Sequence, residues 1–496
     1  MSIRQKAVQG YKWNLGAAIL AVLIQATQVF FTAKFLSPED FGVWGIIVLL
    51  TGFVLIFNDV GIGGAIIHHQ DLSDKHLTSL YWLTVFVGIA VAAIIMLFVP
   101  AIKYFFKLQD ITSYFLIIAG SVIVISLGKQ FEILLQKELK FKLSSIIESV
   151  SSLIGFTSII ILLSLGYKVG ALVIGFFITS FSKTLMLVFY GLKEHRPTFY
   201  FKFSDVKRYL SFGLFQLGEK NVNFFSERFD QIVIGRMLGA GQLGIYSFAF
   251  NLIYQPISKV NPIVNKISLP VFAKIQNNDS EIKNVYFKKL KILTYANSAL
   301  LLGFFAVSQT MILFIFGTKW QQSIILIQLL SLVFLFKSIW NPIGSLLLAL
   351  GKASIGFYWN ILLVVVTLPI ILYSSTWGNI NYVGFCLIIA QVILFLPNYY
   401  LLIRPVLGNC LKHLFNSLTK PILISVTMCL VVFVFGRWLN TISSISLLTL
   451  LAQITIGITI QALLMIFFDR KSITEVLEII KVDKKTSLPK GAQQIM

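Results

Sequence analysis

The chain has 496 residues, 57% of them hydrophobic and only 12% charged, with a mean hydropathy of +0.85. That balance excludes an ordinary soluble domain and marks a polytopic membrane protein. A formal net charge of +21 invites a nucleic-acid reading, but the lysines and arginines gather in the termini and in alternate polar joints, the positive-inside pattern of a membrane chain, so no nucleic-acid partner is expected.

Crossing a bilayer takes about 20 apolar residues, and the sequence offers fourteen such stretches. In chain order they run from 11 to 35, 41 to 66, 79 to 102, 113 to 135, 146 to 165, 169 to 191, 211 to 238, 242 to 272, 291 to 316, 322 to 350, 353 to 376, 380 to 404, 419 to 439 and 444 to 468. Continuous runs such as "IIVLLTGFVLIF" satisfy their backbone inside hydrocarbon as helices rather than as alternating barrel strands. The predicted class is therefore an all-α integral membrane protein with about fourteen transmembrane helices. The first stretch is too long for a signal-peptide core and is followed by "SPEDFG", so it is expected to be retained. The loop charges place both termini in the cytoplasm and bring the clusters "KEHRPTFYFKFSDVKR" and "KKLK" to anionic membrane headgroups. The outer joints are brief, and no soluble catalytic domain is expected. Beyond Phe468, Ile473, Val476, Leu477 and Ile480 suit an amphipathic helix lying on the membrane.

A shift of 202 positions lays "KFLSPEDFGVW" (34–44) over "RMLGAGQLGIY" (236–246). Gly42 meets Gly244, Trp44 meets Tyr246, and Asp59 meets Asn261. One repeat contains six spans, an even number, so both halves keep the same orientation about a pseudo-two-fold axis along the membrane normal. The expected organisation is a six-helix lobe over 1–203, a second over 204–405, two further spans over 406–468 and a cytoplasmic tail over 469–496.

The seventh stretch is unusual for a membrane span. On a helical wheel Gln216, Glu219, Lys220, Asn223, Glu227 and Asp230 share one arc of about 100°, while Arg228 lies near the opposite side. Facing hydrocarbon would cost roughly 3 kcal/mol per charge, so the stripe faces either a hydrated cavity or partners in the bundle; both readings stay open. The repeat places Asn14, Gln25 and Gln28 of the first stretch over Gln216, Glu227 and Asp230, a neutral version of the same face. Lys337 lies mid-span just before "NP", and Lys259 and Lys266 share one face of a proline-kinked span. Lys129, Glu132, Glu148 and Lys183 add charge to the N-terminal half; Lys129 and Glu132, at i and i+3, either pair with each other or line the cavity, and Lys183 either lines it or snorkels to the interface. Cations in such numbers suit an anionic cargo, with acidic partners to hold them when it is absent or to exchange protons or sodium.

Other motifs carry less. "LGKQ" and "ALGKAS" lack the spacing of a phosphate-binding loop. His68, His69 and His76 fall in one short loop without a helical ligand pair, so a solvated loop is preferred to a metal site. Cys386, Cys410 and Cys429 lie in or beside helices and suggest no disulfide framework.

The stretches "LSPEDFGVWGI" (36–46), "NDVGIGGAII" (58–67), "KELKFK" (137–142) and above all "FDQIVIGRMLGAGQLGIYSFAFNL" (229–252) resemble the Wzx-type polysaccharide flippases of the multidrug/oligosaccharidyl-lipid/polysaccharide exporter superfamily, over roughly residues 5 to 470. Many relatives follow the aspartate matching Asp230 with a basic residue; this chain has Gln231. The resemblance implies a non-enzymatic exporter with no bound cofactor, driven or not by H+ or Na+. Its cargo would be an undecaprenyl-pyrophosphate-linked oligosaccharide, moved between leaflets of the bacterial inner membrane for O-antigen, lipopolysaccharide or other surface polysaccharide. Polymerase and chain-length proteins would be its partners. Lys220, Arg228, Lys259, Lys266 and Lys337, with Asn14, Gln25, Gln28 and Asn223, become candidate cavity contacts. Glu219, Glu227, Asp230 and Asp59 become candidate gates or coupling-ion sites. The alternatives are a multidrug cation antiporter of the same superfamily, a membrane glycosyl polymerase or ligase, and a lipid scaffold without transport.

Overall fold

The structure, a computed structural model, describes residues 3–59, 66, 73–108, 111–442 and 445–485, though not every side chain within them. Six helices open the chain: α1 (Ile3–Phe35), α2 (Pro38–Asp59), α3 (Asp74–Phe106), α4 (Thr112–Lys137), α5 (Phe141–Ser164) and α6 (Val169–Glu194). One helical run, Phe203–Lys274, is broken at Gly239 into α7 (203–238) and α8 (240–274). There follow α9 (Asp279–Met311), α10 (Ser323–Ala349), α11 (Ala353–Ser375), α12 (Ile380–Ile393), α13 (Leu411–Ile442) and α14 (Leu447–Lys485). α12 continues through Phe395–Leu407 after a bend of 46°.

Each helix overlaps one predicted stretch. By length and composition, eleven of the described helices can cross a membrane, or twelve with the bent pair counted as one span. The number falls below fourteen because one qualifying window, Lys220–Ser258, runs across the Gly239 break, and because α1 qualifies only as a shorter apolar helix, Leu20–Phe35. Helices also outrun the apolar stretches that announced them. α9 starts at Asp279 rather than 291: Asn278 accepts the Glu281 backbone N–H at 3.3 Å, and Asp279 and Glu281 favour the positive helix end.

The chain divides into two compact units, Met1–Ser247 and Phe248–Met496. In the first, Ile47 of α2, Ile95 of α3, Phe115 and Val122 of α4 and Val173 of α6 form one core. In the second, Tyr286, Trp340, Trp359 and Tyr399 pack together. Large apolar residues such as Leu97, Phe98 and Leu448 stay exposed, as lipid contact requires.

Within the first unit the start of α2 crosses the start of α8 at backbone distance. A Cβ on Gly42 would overlap the Ala240 carbonyl oxygen, and one on Gly244 would overlap the Pro38 carbonyl oxygen. The partners are reciprocal at the offset of 202: Gly42 meets Ala240, and their images Gly244 and Pro38 meet each other. Gly45 likewise faces Ser247. Gly239, at φ 81 and ψ 176, supplies the turn that lets α8 start there, a conformation side chains disfavour. Arg236, in the last turn of α7, donates to the Phe105 carbonyl at 2.6 Å and lies over the Phe105 ring, capping the end of α3.

The segment between α6 and α7 is docked on the start of α3. Trp82 Nε1 donates to the Thr198 carbonyl at 2.8 Å and stacks on Phe199, and the Lys202 N–H donates to Ser79 Oγ at 3.3 Å. His195 Nδ1 lies 3.6 Å from Asp74. Burial pulls the His195 imidazole below its usual pKa, against a smaller opposing pull from Asp74. A depressed value means the unfolded chain binds the extra proton first. This contribution to stability is therefore full above about pH 6.5 and is lost as pH falls from there through the folded value. Thermal unfolding between pH 7.5 and 5 is expected to show an acid-side loss in the parent chain that His195→Gln does not share.

Candidate functional site

The charged face of α7 is only partly open. Asp230 is buried, accepting from the Tyr246 hydroxyl of α8 at 2.5 Å and from the Gln231 N–H at 2.8 Å. It thus ties the two arms of the hairpin around Gly239. Tyr246→Phe removes a hydrogen bond to a buried carboxylate and is expected to cost about 1.5–3 kcal/mol in thermal or denaturant unfolding of the detergent-solubilised protein.

Glu227, three residues before Asp230, is exposed and makes no ion pair among the described residues. Lys220 and Arg228 are half-buried, as are Gln25 and Gln28 on α1. The side chains of Asn14, Asp59, Glu219, Asn223, Lys259 and Lys266 lie outside the described part, as do His68 and His69 altogether. In the second unit Lys337 is exposed on α10, its ammonium 5.5 Å from the Phe334 ring. Asn261, the repeat image of Asp59, is buried and accepts from Asn297 Nδ2 at 3.1 Å.

Charges that the sequence treats as secondary come together more closely. Lys183 of α6 lies 2.8 Å from Glu132 Oε1, and Lys129 lies 3.4 Å from Glu132 Oε2. The two lysines share one carboxylate at the wall of a cavity of 290 Å³, lined also by Leu55, Gly128, Thr179, Ser180 and Thr184. Lys183 does not snorkel: a carboxylate fifty-one positions earlier holds it inside the unit.

Lys289 corrects the reading of "KKLK" as a headgroup cluster. It is buried within the second unit, where its ammonium donates to Ser345 Oγ at 2.6 Å and lies 5.6 Å from the Phe272 ring. Its partners are neutral, so charge pattern gave no sign of it. Lys291 lies 2.5 Å from buried Asp469, which also accepts from the Tyr295 hydroxyl at 2.7 Å. Asp469 marks a break in α14, at φ −151 and ψ 50.

Residues 31–325 match the model of a family described as polysaccharide biosynthesis protein. The chain is 30% identical over 436 residues, 88% of its length and 89% of the relative's, to the lipopolysaccharide biosynthesis protein WzxC of Escherichia coli.

The chain belongs to this family.

Another relative, the teichuronic acid biosynthesis protein TuaB of Bacillus subtilis, is 30% identical over 433 residues, 87% of this chain and 89% of its own. A putative O-antigen transporter of Shigella flexneri is 25% identical over 382 residues, 72% of this chain and 87% of its own. In fold, this polysaccharide biosynthesis protein is similar to the lipid II flippase MurJ in an inward closed conformation, with a TM-score of 0.74 at 18% identity, covering 94% of this chain and 100% of that one. An inward-facing multidrug MATE transporter of the MOP superfamily follows at 0.61 and 14%, covering 76% and 93%. The family member is thus a multi-pass membrane transporter of polysaccharide biosynthesis, not an enzyme.

Proposed function

We propose that the protein moves an undecaprenyl-pyrophosphate-linked oligosaccharide from the cytoplasmic to the periplasmic leaflet by alternating access, with both termini cytoplasmic. The observation that carries this reading is the state of two intramembrane charges. Glu227 and Lys337 are exposed within apolar helices and form no ion pair among the described residues. Placed against hydrocarbon, each would cost about 3 kcal/mol, which favours water around them, and a hydrated path through a bilayer is what a polar headgroup needs. Names of the relatives point to the same cargo class: O-antigen in one, teichuronic acid in another. Excess cationic charge favours a pyrophosphate or acidic sugar, with Lys337 as a contact and Glu227 as a gate or coupling site for H+ or Na+. Polymerase and chain-length proteins would receive the product.

The test is transbilayer movement of a fluorescent undecaprenyl-pyrophosphate oligosaccharide in proteoliposomes. Wild-type protein is expected to move it, and Lys337→Ala to slow it about tenfold or more, the loss of one charge-assisted contact. No movement by wild type, under H+ or Na+ gradients of either sign, would overturn the proposal.

A further inference from the structure

The cavity between α2, α4 and α6 of the first unit has a lining of two chemical kinds. Lys129 and Lys183 each carry three N–H donors and direct one at Glu132, which leaves the remaining donors to the cavity. The cluster carries one net positive charge. Ser180 donates its hydroxyl to the Phe176 carbonyl of its own helix at 2.9 Å, which leaves its lone pairs to accept. Thr179 Oγ1, which donates to the Gly175 carbonyl at 2.8 Å, is packed against Gly155 of α5. Ammonium donors beside a hydroxyl acceptor match a ligand that bears an anion and O–H groups together. At roughly 30 Å³ per liquid water, the 290 Å³ also hold more than a few waters. An ion pair that only joined α4 to α6 would have no use for a second lysine or for this space.

We infer that this cavity is a subsite for a sugar-phosphate-type anion, with Lys129 and Lys183 as its phosphate contacts and Glu132 as the resident counter-ion that the phosphate displaces. The inference rests on the proposed function and assigns a part of the cargo path to the first unit's own interior. The phosphate could belong to the lipid-linked cargo or to a bilayer phospholipid.

The two roles of Glu132 predict opposite signs. If it competes with the ligand, removing its charge strengthens anion binding; if it is a structural tie, removing it weakens the fold and gains nothing. Binding of glucose 1-phosphate and of inorganic pyrophosphate is measured by calorimetry on the full chain in phosphatidylcholine nanodiscs. Glu132→Gln is expected to tighten binding about tenfold, and Lys129→Met and Lys183→Met each to weaken it by about as much. Unchanged or weaker binding in Glu132→Gln overturns the inference, as does full binding in Lys129→Met/Lys183→Met. Replacing the lipid with phosphatidylglycerol separates the sources: competition with glucose 1-phosphate assigns the site to phospholipid, and its absence to cargo. The oligosaccharide movement assay on the same preparations keeps the two proposals apart. Movement with binding insensitive to these residues removes the subsite alone; the expected binding without movement by wild type removes the flippase reading alone.

Discussion

Gly244→Val is expected to abolish transport while the chain still inserts in the membrane. Its Cβ would overlap the Pro38 carbonyl oxygen and crowd the Gly42 nitrogen, both backbone atoms that cannot rotate aside. Overpacking of that kind costs about 3 kcal/mol, on the order of a hundredfold against the closed crossing. Under the proposed alternating access, with this crossing as one of the contacts that closes and reopens, the variant would be held open. Maleimide labelling of a cysteine placed at Leu243, buried beside the crossing, should rise as transport falls. Gly42→Val, the repeat image, should behave alike because the contact is reciprocal. Parental labelling and parental transport in both variants would mean that the crossing is packing alone.

Asp469→Ala should be nearly as damaging, through electrostatics rather than shape. It strands Lys291 and the Tyr295 hydroxyl at the break in α14. Removing one partner of a fully buried pair costs about 3–5 kcal/mol, whereas removing both is often close to neutral; the Lys291 side chain is 25% exposed, so water offsets part of that cost and the loss is expected near the lower end of the range. The unfolding transition should therefore drop sharply in Asp469→Ala and recover much of the loss in Asp469→Ala/Lys291→Met. Limited proteolysis should cut the segment after 469 faster in the single variant than in the double. Equal transitions in parent and single variant would show that the pair contributes nothing to the fold.

How far the sequence led depends on the length scale of each signal. Continuous apolar runs announced every helix, because hydrocarbon permits few alternatives. Helix ends were less legible: α7 begins at Phe203 and α9 at Asp279, where capping and polar turns carry the helix beyond its apolar part. The offset of 202 was visible as matched letters, and the structure gave it meaning as the Gly42–Gly244 contact. Within the charged face of α7, spacing grouped Glu227 with Asp230, but the bond from Tyr246 separates them, one buried and one exposed. Spacing of three likewise proposed Lys129 with Glu132, while nothing local could name Lys183 as the second claimant. Lys289 was hidden for another reason: a hydroxyl and a backbone carbonyl on a later helix leave no trace in charge pattern.

Lys289 also sets an order on how the molecule is made. α9 is synthesised before α10, so when it first meets the bilayer its ammonium has neither Ser345 nor the Pro342 carbonyl to bind, the former 56 residues further along. Burial of the Lys289 ammonium therefore has to await α10, so the packing of α9 and the packing of α10 are coupled steps of assembly rather than independent ones.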